Sequence, residues 1–176
     1  MNIFVLDLDP KIAARLHCDK HVPKMIVEST QMLTNVYHHV STGINHTKEM
    51  FKTFPRIDSY GEPKPYMISH YNHPCSIWVR KSLDNFEWLI SLSHELCIEY
   101  TKRFGKRHVC QDYIEWFSNN LPKIERKGLT NFATAMPLEY VTDNVVESYQ
   151  KYYVSKESYM KMEYRLGNKP EFFKNK

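Results

Sequence analysis

No run of about 18 apolar residues occurs anywhere in the chain, so no membrane-spanning helix is expected. The opening MNIFVLDLDP is too short and too acidic for a signal peptide, which points to a cytoplasmic protein with no membrane partner. Cys18, Cys75, Cys97 and Cys110 lie far apart with no CxxC among them, which argues against a disulfide frame or a zinc knuckle and for reduced, buried thiols. HExxH is missing, no segment repeats with a period of about 20 to 50 residues, and no stretch is of low complexity. Strand-like patterning is confined to residues 2–8. What is left is an all-α fold, a single-domain helical bundle over residues 1–176 with about five helices and a long loop after the second.

The residues present are enough to build it. With 42% apolar and 14% aromatic residues the chain can bury a real core, while a mean hydropathy of −0.55 requires a very polar surface. A net charge of +4 permits an anionic partner without demanding one. Basic and aromatic residues coincide at YTKRFGKRH (Tyr100–His108) and SYQKYYVSKESYMKMEYR (Ser148–Arg165).

Asp9-Pro10 reads as a cap and first position for a short helix to about Cys18. Asp19 is then expected to cap a central helix from Lys20 to about Val40, where Pro23 falls harmlessly in the first turn. On that helix Val22, Met25, Ile26, Ser29, Met32, Leu33, Val36 and Val40 share one face, and His21, Glu28 and Asn35 form a row along its edge. A loop from Ser41 to Asn72 follows, with at most a short helix near Thr47–Phe54, and a connection of this length is a candidate cover for a site. Asn72-His73-Pro74 opens the next helix. Asp84 and Glu87 resemble a capping box, so a break near Ser82 precedes a helix to Phe104 that Gly105 closes. A shorter helix is expected over Val109–Asn120 and a last one over Asp143–Arg165, ended by Gly167, with a C-terminal tail over residues 167–176.

Four constellations carry possible chemistry. Glu28, flanked by His21 and Lys24 at the rim of the apolar face, could act as an acid or base or stabilise a cationic sugar, or could simply pair with Lys24 one turn away. His17 and His21, with Glu28, His38, His39 or His73, would suit a transition metal, except that the helix start at Asp19 and Pro23 separates the two; no metal and no cofactor are expected. Tyr149, Lys151, Tyr152, Tyr153 and Lys156 could stack bases and neutralise phosphates, or form an ordinary amphipathic helix. Asn72, His73, Trp78 and Arg80 gather where a helix N-terminus favours an anion, or where an Asn cap packs beside a Trp.

The order of these pieces resembles the pyrimidine-dimer DNA glycosylase family, the small helical phage enzymes also called endonuclease V. DKHVPKMIVE (Asp19–Glu28) is similar to the family's segment in which a histidine precedes the catalytic glutamate by seven residues. NHPCSIWVR (Asn72–Arg80) and ELCIEYTKRFG (Glu95–Gly105) resemble the start and end of its long helix, and YQKYYVSK (Tyr149–Lys156) its aromatic-basic segment near the C-terminus. The resemblance implies an N-terminal α-amine that attacks the sugar's anomeric carbon, expels the base, forms a Schiff base and allows strand cleavage by β-elimination. Amines of this class, weaker bases than lysine, are partly unprotonated at neutral pH. Asn2 is bulky, so Met1 is expected to stay and to supply the amine, and Gln31 stands where the family has an arginine one turn after the glutamate.

Three functional expectations follow. The first is a monomeric DNA glycosylase/apurinic-site lyase, acting on damaged or modified double-stranded DNA in a host cell's cytoplasm if a phage encodes it. In it Glu28, Met1 and His21 are catalytic, Lys20, Lys24, Arg80, Lys151 and Lys156 contact phosphates, Tyr152 and Tyr153 bracket an unstacked base, and His17, Gln31, Asn72 and His73 line the site. The second is a protein that binds or modifies a nucleotide-like small molecule in a pocket of His17, His21, Glu28 and His73. The third is a non-enzymatic DNA-binding module.

Overall fold

Helix α1 (Pro10–Leu16) starts at Asp9, whose carboxylate accepts from the Lys11 amide at 2.8 Å. The computed structural model describes residues 1–41 and 49–174, and among these it contains six α-helices and no strand. The others are α2 (His21–Val40), α3 (Pro74–Val79), α4 (Leu83–Phe104), α5 (Gln111–Asn119) and α6 (Val145–Ser155). The fold is all-α. Helix α4 lies along both α1 and α2, with α5 at its far end and α3 bridging α2 and α4. Met25, Ile26, Met32, Leu33 and Val36 of α2 face Phe86, Leu89, Leu96 and Cys97 of α4 in one buried layer. No helix among the described residues is long and apolar enough to cross a membrane. All four cysteines are free and buried, and burial pushes the Cys75 thiol up to about 11 and Cys97 to about 12.

The helix ends show where local signals yield to distant partners. Asp19 does not cap α2, whose N-cap, Lys20, makes no side-chain hydrogen bond. Its carboxylate is instead buried against the Arg103 guanidinium at 3.3 Å and Arg165 at 3.1 Å. Asp84 and Glu87 do not form a capping box: Ser82 caps α4 by accepting from the Asp84 amide, and both carboxylates bind Arg126. Gly105, at φ +66°, closes α4 in the left-handed conformation that costs other L-residues about 1–2 kcal/mol. His73 caps α3, its Nδ1 accepting from the Cys75 amide at 3.2 Å, where Asn72 was the alternative. Helix α6 stops at Ser155, well short of Arg165, because the chain beyond it is drawn back to α2: the Asp19 amide donates to the Glu163 carbonyl at 2.8 Å, and Arg165 reaches Asp19.

The strand-like segment at residues 2–8 is not a strand. Asn2 through Leu6 are buried as an irregular plug, with Phe4 at φ +51°. The short helix expected over residues 47–54 lies partly outside the described residues. Residues 49 and 50 are helical and 51–53 form a turn, with Phe51 and Phe54 buried against Tyr37, Tyr113 and Trp116.

Candidate active site

The site is built by the N-terminal plug meeting the edge of α2. Asn2 anchors the plug: its Oδ1 accepts from the amides of Ile3 (2.8 Å) and Phe4 (3.3 Å), and its Nδ2 donates to the Ala135 carbonyl at 2.8 Å. Phe4 takes a left-handed turn that a bulky L-residue avoids. Packing holds it there, for the ring stacks on His21 at 5.1 Å and meets Tyr153 edge-on at 5.2 Å. The turn directs residues 1–3 toward Glu28. The Asn2 amide donates to Glu28 Oε2 at 2.8 Å, the Met1 amine lies 3.9 Å from the same oxygen, and Lys24 Nζ is 3.7 Å from Oε1. Met1's own side chain is buried, with Ser76 Oγ 3.6 Å from its sulfur.

His73 completes this surface from α3. Burial lowers its pKa first, then the positive N-terminus and His70, while Glu28 pulls the other way, so all four groups share one electrostatic environment. Gln31, half-buried, follows Glu28 on α2.

The structure therefore brings together Met1, Lys24, Glu28 and His73, and separates several residues expected to join them. His21 is not beside a substrate surface but beneath the plug. Tyr153 Oη accepts from the Cys18 amide at 2.9 Å, so its own proton goes to His21 Nδ1 at 2.7 Å, leaving a neutral ring whose pKa burial lowers to about 3. Its place is positional, under Phe4. His17 is fully buried, its Nδ1 donating to the Ala13 carbonyl at 2.7 Å and its Nε2 without a hydrogen-bond partner, and its pKa is lowered to about 4, again mainly by burial. A ligand pocket of His17, His21, Glu28 and His73 thus loses two of its four walls to the core.

Tyr153 is likewise fully buried and cannot bracket a base. Lys156, 6% exposed, is no phosphate contact: its ammonium sits 4.0 Å from the Tyr152 ring centroid and 5.1 Å from that of Phe4, and donates to Tyr159 Oη at 2.9 Å. Tyr152 is half-buried, 5.4 Å from Tyr140. Lys151 is exposed and paired with Glu147 at 2.6 Å. Lys20 and Asn72 are exposed, and Arg80 is half-buried over the Tyr71 ring at 4.0 Å. His17 and His21 fall on either side of the α1–α2 junction, and among the described residues no group of three or more His, Cys, Asp or Glu could hold a metal ion.

The buried histidines make a stability prediction. Each titrates near 6.5 when unfolded and is held to about 4 (His17) or about 3 (His21) when folded. Both are neutral in both states above pH 6.5, and stability there is full. As pH falls below 6.5 the unfolded chain binds protons that the folded chain refuses, so stability should drop at up to about 2.7 kcal/mol per pH unit for two sites. The loss levels off only below the folded values. Urea midpoints should fall steeply from pH 7 to 5, and His21→Phe should lessen the slope; equal midpoints at the two pH values would contradict this burial.

Residue spacing marks Asn2 only by its bulk after Met1 and Asn35 only by its place in the row with His21 and Glu28; neither reveals the backbone partners found here, which for Asn35 lie in the long loop at Ser69. No protein-family model, curated protein or solved structure matches the chain.

Proposed function

We propose that the protein acts on DNA as a glycosylase/apurinic-site lyase that removes a damaged or modified base through its N-terminal amine. The observation that carries this reading is the convergence of the Met1 amine and the Asn2 nitrogen on one oxygen of Glu28, 3.9 and 2.8 Å away. A buried plug held by a strained turn is costly to build merely to pair a terminus with a carboxylate.

In the proposed chemistry the neutral amine attacks C1′ and the glycosidic bond breaks, the base leaving with the bonding electrons and a proton. The sugar ring then opens: the C1′–O4′ bonding electrons leave on O4′, which takes the amine's remaining exchangeable proton by way of Glu28, and a C1′=N Schiff base results. Removal of a C2′ proton then expels the 3′ phosphate, and water releases the enzyme. Glu28 stabilises the cationic sugar and carries these protons, which requires only a carboxylate within reach of amine and C1′. No cofactor is needed. Lys24, 61% exposed beside Glu28, together with Lys20 and Arg80, would meet the phosphates, and the chain would act as a monomer on double-stranded DNA. If Met1 is removed, Asn2's amine would take over from the nearer position. Intact mass identifies the first residue, and borohydride reduction on abasic DNA should fix the chain to DNA through that residue. An adduct formed equally well after the N-terminus is blocked would sink the mechanism.

A further inference from the structure

The ring of His73 is oriented by the helix it caps. Its Nδ1 accepts from the Cys75 amide at 3.2 Å, so in the neutral ring the hydrogen sits on Nε2. The first turn of α3 fixes where that ring stands. Cys75 Sγ lies 3.9 Å from Asn2 Oδ1, and Ser76 Oγ lies 3.6 Å from the Met1 sulfur. The turn that His73 caps is therefore packed on the same two residues whose nitrogens meet Glu28, and His73 feels the charge of both the Met1 amine and Glu28. Half-buried at the rim, it offers an Nε2–H that has no hydrogen-bond partner among the described residues.

The ring is held neutral. Burial, the positive amine and His70 all disfavour a second proton and outweigh Glu28. A hydrogen on Nδ1 would also point at the Cys75 N–H and break the cap. His73 is thus a fixed donor that keeps its proton, and such a donor lowers a barrier where negative charge grows. Its surroundings favour an anion: from Pro63 to Leu83 the chain has no carboxylate but carries Lys64, His70, Arg80 and Lys81, which suits a phosphate at the rim. One phosphate gains charge in the proposed reaction, that on the 3′ side of the reacting sugar.

We propose that His73 is a catalytic hydrogen-bond donor to the 3′ phosphate that leaves during β-elimination. The assignment rests on the DNA-acting reading above and gives a residue to its strand-breaking step. Glu28 takes the C2′ proton, the C2′–H electrons form the C2′=C3′ bond, and the C3′–O3′ electrons depart on O3′. The phosphate passes from a diester monoanion to a monoester dianion, so a hydrogen bond from Nε2 strengthens as the bond breaks, and no proton leaves the ring. Schiff-base formation comes earlier and leaves the charge of that phosphate unchanged, so it gains nothing from the donor.

The test compares the full wild-type chain with His73→Asn and His73→Gln on a duplex carrying one natural abasic site. Asn can still accept from the Cys75 amide and keep the cap but has no donor at the Nε2 position, whereas Gln gives up the cap and returns an N–H there; thermal melting checks that both fold. Borohydride trapping at early times reads Schiff-base formation, and single-turnover strand cleavage reads elimination. His73→Asn should be trapped within about twofold of the wild-type rate yet cleave at least about tenfold more slowly, and His73→Gln should recover most of the cleavage despite a lower melting temperature. Undiminished cleavage by His73→Asn would overturn the donor. So would trapping and cleavage slowed equally, as a mere phosphate grip predicts, or a His73→Gln chain no faster than His73→Asn. A wild-type chain that forms no adduct on abasic DNA would instead overturn the DNA-acting reading itself, a result distinct from a wild type that is trapped while His73→Asn cleaves normally.

Discussion

Glu28→Gln is expected to fold like the wild type and to lose at least about 100-fold in turnover on abasic or damaged DNA, the usual scale for removing a positioned acid–base group. The fold should survive because the amide oxygen of Gln can still accept from the Asn2 nitrogen, which Glu28 now holds at 2.8 Å. What disappears is the charge. Its partners are Lys24, 61% exposed, and the Met1 amine at 3.9 Å, two loose pairs that together contribute about 1–2 kcal/mol, so the melting temperature should shift by no more than roughly 8 °C. Calorimetry beside single-turnover rates separates the two effects. Wild-type turnover in a stable Glu28→Gln chain would remove Glu28 from the chemistry.

The largest effect on stability is expected at Arg103, far from that site. Its guanidinium, 8% exposed, donates to the carbonyls of Arg15 (3.1 Å) and His17 (2.6 Å) and pairs with Asp19 at 3.3 Å and Glu99 at 3.0 Å. One side chain thus closes the end of α1, the start of α2 and the last turns of α4. Arg103→Met would leave the carbonyls and two buried carboxylates short of their partner, a loss of about 3–5 kcal/mol and roughly 10 °C in melting temperature. Each carboxylate would keep one half-exposed partner, Asp19 its Arg165 (49% exposed) and Glu99 its Lys102 (50% exposed, 3.3 Å away), which softens the loss without replacing the buried guanidinium. Adding Glu99→Leu to Arg103→Met should recover part of the loss, since an apolar pair avoids burying an uncompensated charge. A single variant as stable as the wild type would show that this cluster does not hold the helices together.

Much of this architecture could be read from residue spacing. The apolar rows of α2 and α4, the Asp9-Pro10 start and the Gly105 stop are local signals, and each lies where local physics puts it. Glu28 stood out because it interrupts the rim of an apolar face beside a lysine. The misjudged positions are those governed by partners distant in the chain. Asp19 has the chemistry of a cap, but an arginine 84 residues away captures it. His21 lies on the same edge as Glu28 and looked equally available, yet its exposure depends on whether Phe4 turns back over it and whether Tyr153, 132 residues on, offers a proton. Tyr152 and Tyr153 are neighbours of one type; the helix turns one toward the rim and the other into the core. Asn2, which directs the whole N-terminal plug, acts through backbone hydrogen bonds that leave no pattern in composition or period.

The most direct measurement is borohydride trapping on duplex abasic DNA, followed by mass spectrometry of the cross-linked peptide. The convergence of the N-terminus on Glu28 predicts a covalent adduct at the α-amine of the first residue, Met1 or, after processing, Asn2, and none once that amine is methylated. An adduct on a lysine, or strand cleavage undiminished by blocking the amine, would contradict it.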